Sequence, residues 1–133
     1  MQPGYIREGF QEVTPYFIVE NAERLIDFVA ACFGAEIQVL ERHEHKGVVR
    51  HAELRIGSSV IEVSEANETY PPVRQTIHLY VPDTDACYRK ALQLGAESIN
   101  EPRDMPYGER GAGIRDLHGN QWFLATVNVR EEG

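Results

Sequence analysis

Glu62 stands in the run Val60-Ile61-Glu62-Val63, a carboxylate among apolar neighbours. Such a carboxylate is a candidate general base or cation anchor, and its plainer reading is a salt-bridged or half-exposed strand residue. His78, in Thr76-Ile77-His78-Leu79-Tyr80, reads as an acid/base partner for Glu62, as a hydrogen-bond donor to a ligand, or as a core histidine bonded to a neighbour. His51 and Glu53 lie two residues apart and so share one face of a strand. His43 and His45 share that spacing, but beside Glu44, Lys46 and Gly47 they read as an exposed turn, as does His118. Tyr16 and Tyr80 read as cavity walls with hydroxyls available for orientation. The stretch RDMPYGERGAG (103 to 113) holds Arg103, Tyr107 and Arg110 among glycines. It is expected to form a mobile lid whose Arg and Tyr close over an anionic or aromatic ligand. Its alternative is a long connection with Arg110 paired to Asp116 or Glu109. The stretch has neither the GxGxxG pattern nor the lysine of a phosphate loop.

These residues are positioned by a repeated unit. TPYFIVENAERLIDFVAACFGAEI (14 to 37) aligns with TIHLYVPDTDACYRKALQLGAESI (76 to 99), with Val19 on Val81 and Gly34 on Gly95, 62 and 61 positions apart. Ile61-Glu62-Val63 falls on Trp122-Phe123-Leu124 at the same spacing. Each unit opens with a short strand, Tyr16 to Val19 or Ile77 to Val81. Asn21 or Asp83 follows, where a side-chain oxygen caps a helix start. In the first helix Leu25, Phe28, Val29 and Cys32 form one stripe. The second helix is less regular, with Ala86, Cys87, Ala91, Leu92 and Leu94. Gly34 and Gly95 end the two helices.

Further strands are expected at Ile37 to Arg42, Val48 to Ile56 and Val60 to Ser64. In the second unit they fall at Glu97 to Asn100, Gly113 to Asp116 and Gln121 to Val127. The pattern is β-α-β-β-β twice: one module at about 12–65, a linker at 66–74 marked by Tyr70-Pro71-Pro72, and a second module at about 75–128. Strand alternation turns Phe17, Val19, Ile77, Leu79 and Val81 toward the helices, and Trp122 with them as core. Thr14, Tyr16, Ile18, Thr76, His78 and Tyr80 then face the other way, toward an enclosed cavity. Asp116-Leu117-His118-Gly119-Asn120 is a turn leading into the last strand.

The 133 residues suit one compact domain or two very small halves sharing a core. A formal charge of −8 argues against nonspecific nucleic-acid or anionic-membrane binding. No apolar run approaches a membrane span, and MQPGYIREGFQEV lacks the layout of a signal peptide. A cytoplasmic bacterial protein is expected. Cys32 and Cys87 match no zinc motif and read as small buried residues without a disulfide.

The paired modules, the GAE ending each helix, GSSVIEVSE and RDLHGNQWFLATV resemble the vicinal oxygen chelate superfamily over about residues 12 to 128. That superfamily includes glyoxalase I, bleomycin-resistance proteins and extradiol dioxygenases. MPYGERGAGIRDLHGNQWFLAT is most similar to its PhnB-like branch. The resemblance implies an α+β fold in which two tandem β-α-β-β-β modules form a curled mixed sheet around a cavity. In metal-dependent members it implies ligands at the positions of Thr14, Glu62, Thr76 and Phe123, of which only Glu62 is competent here.

The function expected is therefore binding of a small organic molecule without a metal or other cofactor. Glu62 and His78 are the catalytic candidates. Tyr16, His51, Tyr80, Tyr107, Arg110 and Phe123 are the ligand contacts. The alternative is a superfamily enzyme, lyase, isomerase or dioxygenase, with relocated metal ligands or with metal-free acid/base chemistry. A homodimer is the family's usual state, and Tyr5, Ile6 and Phe10 would serve its interface or cover a sheet edge.

Overall fold

A computed structural model describes residues 3–128, and the chain divides into two compact units, 1–73 and 74–133. The first is built from β1 (Tyr16–Val19), α1 (Ala22–Phe33), β2 (Glu36–Arg42), β3 (Val49–Ile56) and β4 (Ser59–Glu65). The second repeats the order with β5 (Thr76–Tyr80), α2 (Thr84–Gln93), β6 (Glu97–Met105), β7 (Glu109–Arg115) and β8 (Gln121–Val127). The α+β fold is thus two tandem β-α-β-β-β modules. Hydrogen bonding divides the strands into two four-stranded mixed sheets, β1-β4-β3-β2 and β5-β8-β7-β6, one per module. In each, the first strand runs parallel to the last and the remaining pairs are antiparallel.

In the first module α1 covers one sheet face. Leu25, Ile26, Phe28 and Val29 are buried against Phe17, Val19, Leu54 and Val63, which alternation turns the same way. Gly34 ends the helix in the left-handed region, φ 70°, and donates its N–H to the Ala30 carbonyl. The start of α1 departs from the sequence reading. Asn21 is itself left-handed and its side chain makes no cap. Glu65, at the end of β4, accepts from the N–H groups of Asn21 and Ala22 at 2.7 and 2.9 Å.

In the second module Asp83 caps α2 as expected, accepting from Ala86 N–H at 3.1 Å. Of the expected row Ala91 is buried, but Ala86 and Leu92 are exposed and Cys87 and Leu94 only half-buried, and the stripe is completed by Thr84 and Tyr88. The inward polar groups explain the miss, because each has a partner. Tyr88 O–H donates to Ser98 Oγ at 2.6 Å, and Thr84 Oγ1 donates to the Arg110 carbonyl at 3.0 Å. Trp122, Ile114 and Leu124 form the core beneath.

Cys32 and Cys87 are half-buried thiols, where full burial was expected. None of the described helices is long and apolar enough to cross a membrane.

The expected lid at 103–113 is a correction. Residues 97–115 form a β6–β7 hairpin in which Arg103 pairs with Gly111, Asp104 with Arg110 and Met105 with Glu109. Only a tight turn at 106–108 lies between the strands, closed by Gly108 N–H to the Met105 carbonyl. Scattered glycines and charges hid the strand period. The partner strand supplies the regularity that the side chains lack.

Candidate functional site

Equivalent rows of residues cross the two sheets on the face away from the helices. In the first module the register runs Tyr16, Glu62, Glu53, Val39. In the second it runs His78, Phe123, Gly113, Asn100. Glu62 and Phe123 hold the same place in the repeat, as do Glu53 and Gly113. One row carries two facing carboxylates, and the other carries an aromatic ring beside a bare backbone.

The charged row draws in two more groups. His51, two residues before Glu53 on β3, brings Nε2 to 2.9 Å from Glu53 Oε2 and 3.6 Å from Glu62 Oε1. Arg7 donates from Nη1 to Glu53 Oε2 at 2.8 Å. Glu53 is the buried member, with 7% of its side chain exposed, whereas Glu62 and His51 keep 22% and 24%. Tyr16 tilts toward the His51 ring at a centroid distance of 6.3 Å. Glu62 also borders a hollow of about 450 Å³ under the N-terminal segment, with Tyr5, Ile6, Arg7 and Phe10. The structure therefore brings together Tyr16, His51 and Glu62 of the expected contacts. It adds Glu53, whose spacing from His51 was visible in the sequence, and Arg7, which carried no signal.

The aromatic row floors a concavity of about 200 Å³. Phe123, His78, Asn100, Arg103, Met105 and Tyr107 line it. The glycine at 113 explains the floor. A Cβ built there would stand 3.1 Å from Phe123 Cδ1 and Cε1, and 3.2 Å from Asn100 Nδ2. The missing side chain lets the ring sit close to the sheet, where a methyl group would crowd it. The Arg103 guanidinium extends at the rim with no side-chain ion-pair or hydrogen-bond partner among the described residues. Tyr107, in the hairpin turn, is exposed.

Two expected contacts have other engagements. Arg110 does not line this concavity. Its guanidinium grips Asp85 of α2 with two 2.9 Å bonds and reaches Asp104 at 3.4 Å. That fork holds Asp85 below the usual carboxylate range and Arg110 above its ordinary value. The partner is neither Asp116 nor Glu109. Tyr80 stacks edge-on against His78 at 4.9 Å and donates its hydroxyl to Glu109, which holds the phenol above its ordinary value.

Residues 10–124 match one family model, described as Glyoxalase/Bleomycin resistance protein/Dioxygenase superfamily. The chain belongs to that superfamily. An uncharacterised protein of Mycobacterium bovis is 28% identical over 130 residues, covering 90% of this chain and 84% of that protein. TioX from Micromonospora sp. ML1 superposes with a TM-score of 0.70 at 24% identity, covering 91% of this chain and 99% of TioX. A PhnB protein from Bacillus cereus, described as a putative 3-demethylubiquinone-9 3-methyltransferase, gives 0.69 at 18% identity, with 88% of this chain and all of that one covered. These structural likenesses establish the fold.

The superfamily's metal positions do not suit a metal here. Thr14 places its hydroxyl 3.4 Å from both the Gln11 side-chain nitrogen and the Gln11 carbonyl, and a neutral hydroxyl is a weak ligand. Phe123 offers a ring, and Thr76 another neutral hydroxyl. Of the four, Glu62 alone can coordinate.

Proposed function

We propose that this superfamily member binds a small aromatic or otherwise planar anion on the second module's sheet, using side chains in place of a metal at the superfamily's positions. The observation that carries the reading is the unpaired Arg103 guanidinium at the rim of a concavity floored by Phe123. A planar ligand stacks on the Phe123 ring, and its carboxylate takes the fork of Arg103. His78 and the Asn100 amide are further polar groups at the same rim. Tyr107 and Met105 supply apolar wall.

The size of the space sets the class. About 200 Å³ is smaller than the roughly 300–1,000 Å³ of pockets for drug-sized ligands. One ring with a short anionic arm suits that space. The reading keeps the homodimer that the resemblance implies and the cytoplasmic setting expected from the sequence.

Isothermal titration of the full chain with a series of substituted benzoates tests it. The expected result is saturable binding of at least one member, weakened about 10- to 100-fold in Arg103→Ala, as for the loss of a hydrogen bond to a charged group of about 1.5–3 kcal/mol. Phe123→Ala should weaken it further. Binding that ignores both substitutions, or no binding across the series, would overturn the reading.

A further inference from the structure

We propose a divalent transition-metal site confined to the first module, made by His51, Glu53 and Glu62. It is independent of the anion site proposed for the second module. It also differs from the superfamily's four positions, because two of its three ligands come from β3.

The geometry carries the inference. One nitrogen and two carboxylate oxygens from these residues lie within 4.8 Å of one another. Ligand bonds of about 2.0–2.2 Å separate neighbouring donor atoms by about 3.0 Å at right angles and about 3.4 Å at tetrahedral angles. The two His51 edges are 2.9 and 3.6 Å and bracket those values. The backbone already fixes the arrangement, since Glu53 and Glu62 are direct cross-strand partners and His51 shares their face. Small side-chain rotations complete the triangle, with no strand movement.

Charge points the same way. Like charges directly opposite in an antiparallel pair repel, and here one of them is buried. Across the described residues the neighbouring compensation is a His ring and the Arg7 head group. Arg7 reaches Glu53 from outside and keeps 70% of its side chain exposed, so it can withdraw into water as an ion enters. An imidazole with two carboxylates suits Mn²⁺, Fe²⁺, Co²⁺ or Zn²⁺, and the nitrogen disfavours Mg²⁺ and Ca²⁺. Coordination through Nε2 places the ring proton on Nδ1. Three protein ligands leave further positions for water or for an oxygen-bearing ligand, and Glu62 borders the 450 Å³ hollow from which one would approach.

The test is titration of the chelator-stripped full chain with Co²⁺ and Zn²⁺, read by calorimetry and by the visible absorption of bound Co²⁺. One ion per chain is expected. His51→Ala and Glu62→Gln should each lower affinity at least tenfold and change the Co²⁺ spectrum, while thermal melts report that both variants fold. Arg7→Ala should retain or tighten binding, as removal of a competing cation requires. His43→Ala/His45→Ala, at the exposed turn, should bind as the parent does. Loss of binding in that turn variant, parental affinity in His51→Ala or Glu62→Gln, or no uptake of either ion would overturn the proposal. Benzoate titration of the same proteins reports the second module separately.

Discussion

Asp116 shows how much one side chain can organise without touching a ligand. Its carboxylate accepts from His118 N–H and Asn120 N–H at 2.9 Å, from Asn120 Nδ2 at 3.1 Å and from Trp122 Nε1 at 2.8 Å. Asn120 passes the tie onward, accepting from Gln75 N–H at 2.8 Å. Asp116 and Asn120 are both buried, so deleting the carboxylate strands several donors away from water. Asp116→Ala is expected to cost about 3 kcal/mol or more in urea unfolding, and Asp116→Asn less, because an amide oxygen still serves the turn. A loss below about 1 kcal/mol for the alanine variant would show that water replaces these bonds. At Gly113 the expectation concerns the site. Gly113→Ala puts a methyl 3.1 Å from the Phe123 ring and must lift it, so benzoate affinity should fall at least tenfold while the fold persists by circular dichroism.

The β6–β7 hairpin and α2 are joined by Arg110, and that junction has a pH signature. Asp85 titrates below its unfolded value because the Arg110 fork favours the carboxylate. Its contribution is therefore present above the unfolded aspartate pKa of about 3.9 and disappears as pH falls through the lower folded value. Both side chains keep about a third of their surface, so solvent screening keeps the pair's contribution small. Asp85→Asn should be less stable than the parent at pH 7, and the gap should close toward pH 2 in parallel urea titrations. A gap constant with pH would mean that packing, and not charge, holds this corner. The hairpin was also the element least legible beforehand. Gly111 and Gly113 erased the alternation of β7, and a run of turn-forming residues read as a loop. The α2 stripe failed for a related reason: Thr84 and Tyr88 look polar but bury satisfied hydroxyls.

At the scale of the molecule, duplication made the fold readable and divergence made the site hard to read. The 61- and 62-residue offsets and the glycine-terminated first helix carried the modules and their element order, because these follow from local pattern. The site depends on which residues meet across strands. The sequence placed Glu62 and Phe123 at matching positions, and His51 beside Glu53 on one face. Register was needed to see that Glu53 faces Glu62 while Gly113 faces Phe123. Arg7 comes from 46 residues away in the chain, and no spacing rule reaches that far. The two rows hold equivalent places in the repeat, and one is charged where the other is aromatic.

The most direct test of the aromatic row is a ¹⁵N-resolved NMR titration of the full chain with 4-hydroxybenzoate, repeated on Arg103→Ala. The expected outcome is saturable shifts clustered at Asn100, Gly111 to Gly113 and Phe123, with little change in α1, and their loss in the variant. Shifts that avoid this row, or that persist unchanged without Arg103, would contradict the account.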